Sequence, residues 1–156
     1  MATVKGDLLT PTLTEHRPRD WSAHLPWQLG SQVFVAFLGG PLAVTIIAVL
    51  NGVRLRMPRS SLLVMAAIGA VGTVAGVLAA GLIDAGAAPR LLVQIAGVVT
   101  SGPLYLLQRS PDRVHSTFSP HTDPEDDYGS LWGPGIAAVL TGWLVQFSLV
   151  AAVVEL

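Results

Sequence analysis

Residues 37–61 read FLGGPLAVTIIAVLNGVRLRMPRSS. An apolar run carries Gly39-Gly40-Pro41 inside it and Arg54, Arg56 and Arg59 directly after it. In water such a tripeptide marks a turn that ends a helix. In hydrocarbon the backbone has no water to bond, so an apolar segment stays helical and its neighbours accommodate the groups that proline frees. The expectation is a single crossing helix over 29–50. Pro41 kinks it and releases a carbonyl near Phe37, while Gly39 and Gly40 offer a flat patch to another backbone.

The rest of the chain agrees with a membrane setting. Apolar residues make up 51% of it and charged residues 12%, about half the charge of an ordinary soluble domain. The apolar residues are gathered in blocks. Three further blocks follow the first: 61–83, SLLVMAAIGAVGTVAGVLAAGLI; 91–107, LLVQIAGVVTSGPLYLL; and 131–154, LWGPGIAAVLTGWLVQFSLVAAVV. Each is near the ~20 residues a crossing needs, the third at the short end. All the lysines and arginines lie outside these blocks, so the charged faces of a soluble helical core are missing. The predicted fold is an all-α integral membrane protein of four transmembrane helices with a Pro/Gly-interrupted first helix. A polar tail, 1–28, precedes the membrane domain, 29–156. The first block is no signal peptide, because no small-residue cleavage site follows a short apolar core. The segment 108–130, with its acid cluster and prolines, reads as a solvated acidic loop.

Orientation is read from basic residues, which favour the cytoplasmic side. Arg54, Arg56 and Arg59 lie in one connection and Arg109 and Arg113 in another, against Arg90 in the connection between. With four crossings this vote leaves both termini outside a bacterial inner membrane, and Lys5, Arg17 and Arg19 have to be translocated against the rule. Arginine outnumbers lysine eight to one, a composition associated with GC-rich bacterial genomes.

Small residues supply the expected packing surfaces. Gly69, Gly72, Gly76 and Ala80 recur at three- and four-residue spacing in the second block, a pattern that lets membrane helices approach closely where little hydrophobic force acts between them. Gly102-Pro103 and Gly133-Pro134 repeat the Gly-Pro dipeptide of the first block. Trp21, Trp27 and Trp132 fall at block edges, where indoles anchor at the headgroup level. Trp143 falls inside the fourth block and is expected to pack on a neighbouring helix. FLGGPLA followed by Asn51 and a basic loop, with Ser130-Leu131-Trp132-Gly133 opening the last block, resembles a group of small uncharacterised bacterial polytopic membrane proteins. That resemblance implies the architecture and no activity.

Chemistry is sparse. No ionisable group or histidine lies inside a block, which argues against a proton relay or an internally ligated haem. Cysteine is absent, removing disulfides and thiolate sites. The net charge of −1 gives no field for nucleic acid. His115, His121, Asp123, Glu125, Asp126 and Asp127 match no zinc spacing, so neither a metal nor a catalytic residue is expected. A tetrapyrrole held jointly with partner subunits through His24 or His115 is the remaining cofactor option, and His16 is a similar interfacial candidate. The polar residues within the blocks are Thr45, Thr73, Gln94, Thr100, Ser101, Thr141, Gln146 and Ser148. The leading expectation is a non-catalytic accessory subunit of a larger respiratory or photosynthetic membrane complex, docking other membrane subunits through its small-residue faces. The alternative is a small homo-oligomeric channel or transporter, in which Gln94 and Gln146 share a cavity.

Overall fold

The computed structural model describes residues 25–82, 89–118 and 128–154. Among these the chain is all-helical. A turn of 3-10 helix, Leu29–Ser31, leads into α1 (Gln32–Arg54), followed by α2 (Arg59–Leu82), α3 (Pro89–Phe118) and α4 (Trp132–Val154). By length and composition all four are candidates to cross a membrane, α1 when it is counted as one stretch. α2 and α4 fill their expected blocks to within two residues. The sequence explains this, because each is dominated by Ala, Val, Leu and Gly and its threonine bonds back to its own helix. Thr73 Oγ1 donates to the Gly69 carbonyl at 2.8 Å, and Thr141 Oγ1 to Ala137 at 2.8 Å.

The first helix departs from expectation. Gly40 has φ 71° and ψ −167°, outside the helical region, and it alone among the described glycines has positive φ. The change of direction there is a reversal. Gln108 Oε1 accepts from Asn51 Nδ2 at 2.9 Å and from Gln32 Nε2 at 3.4 Å. In a straight helix residues 32 and 51 stand about 28 Å apart, so one oxygen could not bond both. The Trp27 N–H donates to Asn51 Oδ1 at 2.6 Å, and Arg54 Nη1 donates to the Leu25 carbonyl at 2.7 Å. α1 is therefore two antiparallel arms, 32–39 and 41–54, folded about Gly40. Gly-Gly-Pro does end a helix here, as it would in water. Gly40 takes a positive-φ, extended conformation that is essentially open to glycine alone, and Pro41 starts the next arm, where its missing N–H costs nothing.

The hairpin is the centre of the molecule, packed by α2, α3 and α4. Ala36, Val44 and Ala48 from both arms are buried with Met65 and Leu104, while Val35, Ala43 and Ile47 are buried with Trp27 and Ala138. Glycines let the backbones close in. A Cβ on Gly97 of α3 would collide with the Ala36 carbonyl and Gly40, and one on Gly142 of α4 would come within 2.6 Å of the Gly39 carbonyl.

Two further expectations need correction. Residues 108–118 are helix, because α3 continues through Pro111 to Phe118. Pro111 withdraws one bond from that extension, while the Ser116 and Thr117 hydroxyls bond the Arg113 carbonyl and the Tyr128 hydroxyl donates to Asp112 at 3.3 Å. The rest of the acidic segment, 119–127, lies outside the described residues, as do His121, Asp123, Glu125, Asp126 and Asp127. The two chain ends also fall apart. Because α1 returns to its starting end, residue 25 and residue 154 sit at opposite ends of the bundle, whereas four successive crossings would bring them together.

The fold-back is measurable. The chain has no cysteine, so spin labels on Gly30→Cys and Val53→Cys report one distance. A straight helix separates those positions by about 35 Å; the hairpin is expected to give less than half of that in a pulsed dipolar experiment.

Candidate functional site: the helix break and its cavity

A reversed glycine breaks the backbone bonds that cross it. In a continuous helix Leu42 N–H would bond the Leu38 carbonyl, and Ala43 N–H the Gly39 carbonyl. Each such group left bare away from water costs about 1–3 kcal/mol. Here α4 takes them over. Trp143 Nε1 donates to the Leu38 carbonyl at 2.6 Å. The Gln146 amide, oriented to match its surroundings, donates to the Gly39 carbonyl at 3.2 Å and accepts from Leu42 N–H at 3.3 Å. One side-chain amide thus stands in for a missing peptide group. Thr45 Oγ1 secures the first turn of the second arm by donating to the Pro41 carbonyl at 2.6 Å.

The same Gly-Pro dipeptide stays helical in α3. A Cβ on Gly102 would meet no atom within 4 Å, so no neighbour is at hand to satisfy groups released by a break there. The dipeptide permits reversal, and the tertiary donors decide it.

Beside the break is a cavity of about 400 Å³, lined by Leu38, Gly40, Val93, Gln94, Phe147 and Val150, with Arg90, Trp143 and Gln146. Gln94 and Gln146, named together from the sequence, do share this cavity. Their states differ. Gln146 is buried and committed to the hairpin, whereas Gln94 is half-buried and its amide makes no protein hydrogen bond among the described residues. Arg90 places its guanidinium carbon 4.6 Å from the centre of the Trp143 ring, a cation–π contact. No carboxylate pairs with it among the described residues. Trp143 is the middle residue of α4, so the side chain of Arg90, itself exposed, reaches along the bundle toward the break.

The opposite end of the hairpin is closed. Asn51 and Gln108 are fully buried and Gln32 nearly so, and their amides tie the two arms to α3. Gln108 Nε2 has no partner. Trp27, expected as an interfacial anchor, is 2% exposed beneath the Arg54 guanidinium, 3.9 Å from the ring centre. Trp132 is 80% exposed at the start of α4. Trp21, His16 and His24 lie outside the described residues. His115 sits on the extension of α3, its ring 6.1 Å edge-on from Tyr128. No group of three His, Cys, Asp or Glu able to hold a metal occurs among the described residues.

The predicted packing glycines all face inward: Gly69 abuts Thr45, Gly72 abuts Thr100, and Gly76 abuts Ala96 and Pro41, with Ala80 buried. Sequence reasoning missed the Gln32–Asn51–Gln108 cluster and the approach of Arg90 to the break. The signal for the first was present, since three amides stand at the ends of apolar blocks, Gln32 just inside the first and Asn51 and Gln108 directly after the first and third. No family model, curated protein or solved structure matches the chain.

Replacement of the closing groups gives a graded test. Gln146→Leu strips two backbone groups of their partners and is expected to cost about 2 kcal/mol or more, and Trp143→Phe, which strips one, about 1 kcal/mol. Thermal unfolding in mild detergent should rank wild type above Trp143→Phe above Gln146→Leu.

Proposed function

We propose that the chain is a multi-pass protein of a bacterial cytoplasmic membrane that binds a small, mainly apolar molecule at the tip of a re-entrant hairpin, as the carrier or channel subunit of a small-solute pathway. The observation that carries this reading is the pair of polar groups beside the break: the Gln94 amide and the Arg90 guanidinium both border an apolar cavity, and among the described residues neither has a hydrogen-bond or carboxylate partner, Arg90 being stacked on Trp143. Irregular backbone at membrane depth occurs where it is packed in protein or lines a cavity, and broken helices are a recurring way to build transport sites. A cavity of this size lies within the usual range for small-molecule sites.

The membrane arrangement follows from the same hairpin. α1 enters from one face and returns to it, and α2, α3 and α4 then cross. On this reading Lys5, Arg17, Arg19, Arg54, Arg56, Arg59, Arg109 and Arg113 share one face, with Arg90 alone on the other. The positive-inside rule then puts the segment leading into Leu25 in the cytoplasm and the end of α4 outside. The contest between the tail and the loops, which four crossings create, disappears. With no native cysteine in the chain, Ala2→Cys should escape a membrane-impermeant thiol reagent in intact cells while a cysteine added after residue 156 reacts; reaction at both would return the first helix to a full crossing.

The accessory-subunit reading is less well supported, because the glycine faces proposed for docking are occupied within the chain. It keeps a direct test, since co-migration with a large stoichiometric complex after mild extraction would restore it. For the leading reading, small molecules are extracted from the purified full chain and identified by mass spectrometry. A stoichiometric compound is expected with wild type and is lost from Ala151→Phe, which narrows the cavity. Equal recovery from both would refute the site.

A further inference from the structure

We infer that the cavity at the hairpin tip takes one acyl chain of a bilayer phospholipid, whose anionic headgroup pairs with Arg90; this rests on the ligand-site reading above and names its ligand. The shape of the hairpin creates the opening. Its tip packs at Gly40 against Val93 and Gln146, and the cavity continues past it along α4 to Val150 and Ala151. The arms therefore stop short of the end of α4, and the seam between α3 and α4 beyond the tip is left without a helix to fill it. In a bilayer that seam borders hydrocarbon. Its walls are Leu38, Val93, Phe147 and Val150, surfaces against which an alkyl chain packs and where a water finds few of the polar partners it needs.

Arg90 supplies the selection. Long cationic side chains near helix ends ordinarily carry their charge outward to water. This one, exposed though it is, lies over the Trp143 ring in the cavity wall, with no carboxylate from the described residues beside it. Stacking on an indole leaves the edge of the guanidinium free, and that edge is a fork of N–H donors matched to two phosphate oxygens. A headgroup that brings its own cation, as phosphatidylcholine does, has less to gain from this fork than phosphatidylglycerol. The half-buried Gln94 amide is a further donor along the same wall.

The test is native mass spectrometry of the full chain in detergent, titrated with phosphatidylglycerol or phosphatidylcholine of identical acyl chains. Wild type is expected to retain one phosphatidylglycerol with about tenfold preference over phosphatidylcholine. Arg90→Gln should erase the preference while leaving chain binding, and Ala151→Phe should lose both lipids. Arg56→Gln with Arg113→Gln, on the opposite face, should leave the retained lipid in place. An equally strong preference in Arg90→Gln, or its loss in the Arg56/Arg113 variant, would overturn the headgroup assignment and leave the site standing. Undiminished binding to Ala151→Phe, with Val150→Trp as a second filling variant and melting curves to show that both fold, would overturn the site itself.

Discussion

The fold depends on three hydrogen bonds that α4 makes to a broken helix. A reversal of the chain deep among apolar helices exposes backbone groups that have no water to turn to, and without partners it would cost more than a straight helix. Trp143 and Gln146 supply the partners, taking up the Leu38 and Gly39 carbonyls and the Leu42 N–H. Once those are met, the remaining features follow. The arms can lie side by side, the amides of Gln32, Asn51 and Gln108 come together at the far end, and α2, α3 and α4 close around the hairpin with glycines at the nearest approaches.

The division between what the sequence made legible and what it did not has a physical basis. Helix-forming blocks are a local property, dictated by runs of apolar residues long enough to satisfy their own backbone, and α2 and α4 could be read directly. The reversal at Gly40 is not local. FLGGPLA and SGPLYLL carry the same dipeptide, yet one reverses and the other stays helical, because only the first faces Trp143 and Gln146. The extension of α3 past Pro111 was hidden for a similar reason, since its Asp112 is held by Tyr128 from beyond the acidic segment.

The candidate site was half legible. Gln94 and Gln146 stood out as amides in apolar surroundings, and they do meet at one cavity. Their chemical difference was invisible, because it depends on which one the hairpin consumes. Gln146 serves the architecture, and Gln94 is the amide that the proposal gives to a ligand. Arg90 was read as a vote on orientation, whereas its place over Trp143 makes it the charge at the mouth of the proposed lipid site.

The closing bonds also impose an order in time. Leu38 waits for Trp143, which is 105 residues further along the chain. A ribosome that has delivered only the first sixty residues to the membrane has made an apolar segment whose break nothing yet closes, and a straight helix then satisfies its backbone better than a hairpin. On the orientation proposed above, the growing chain must either hold this segment within the insertion machinery until α4 arrives or let it cross and later draw it back. On that proposal, Trp143 and Gln146 decide whether α1 lies across the membrane or within one face of it.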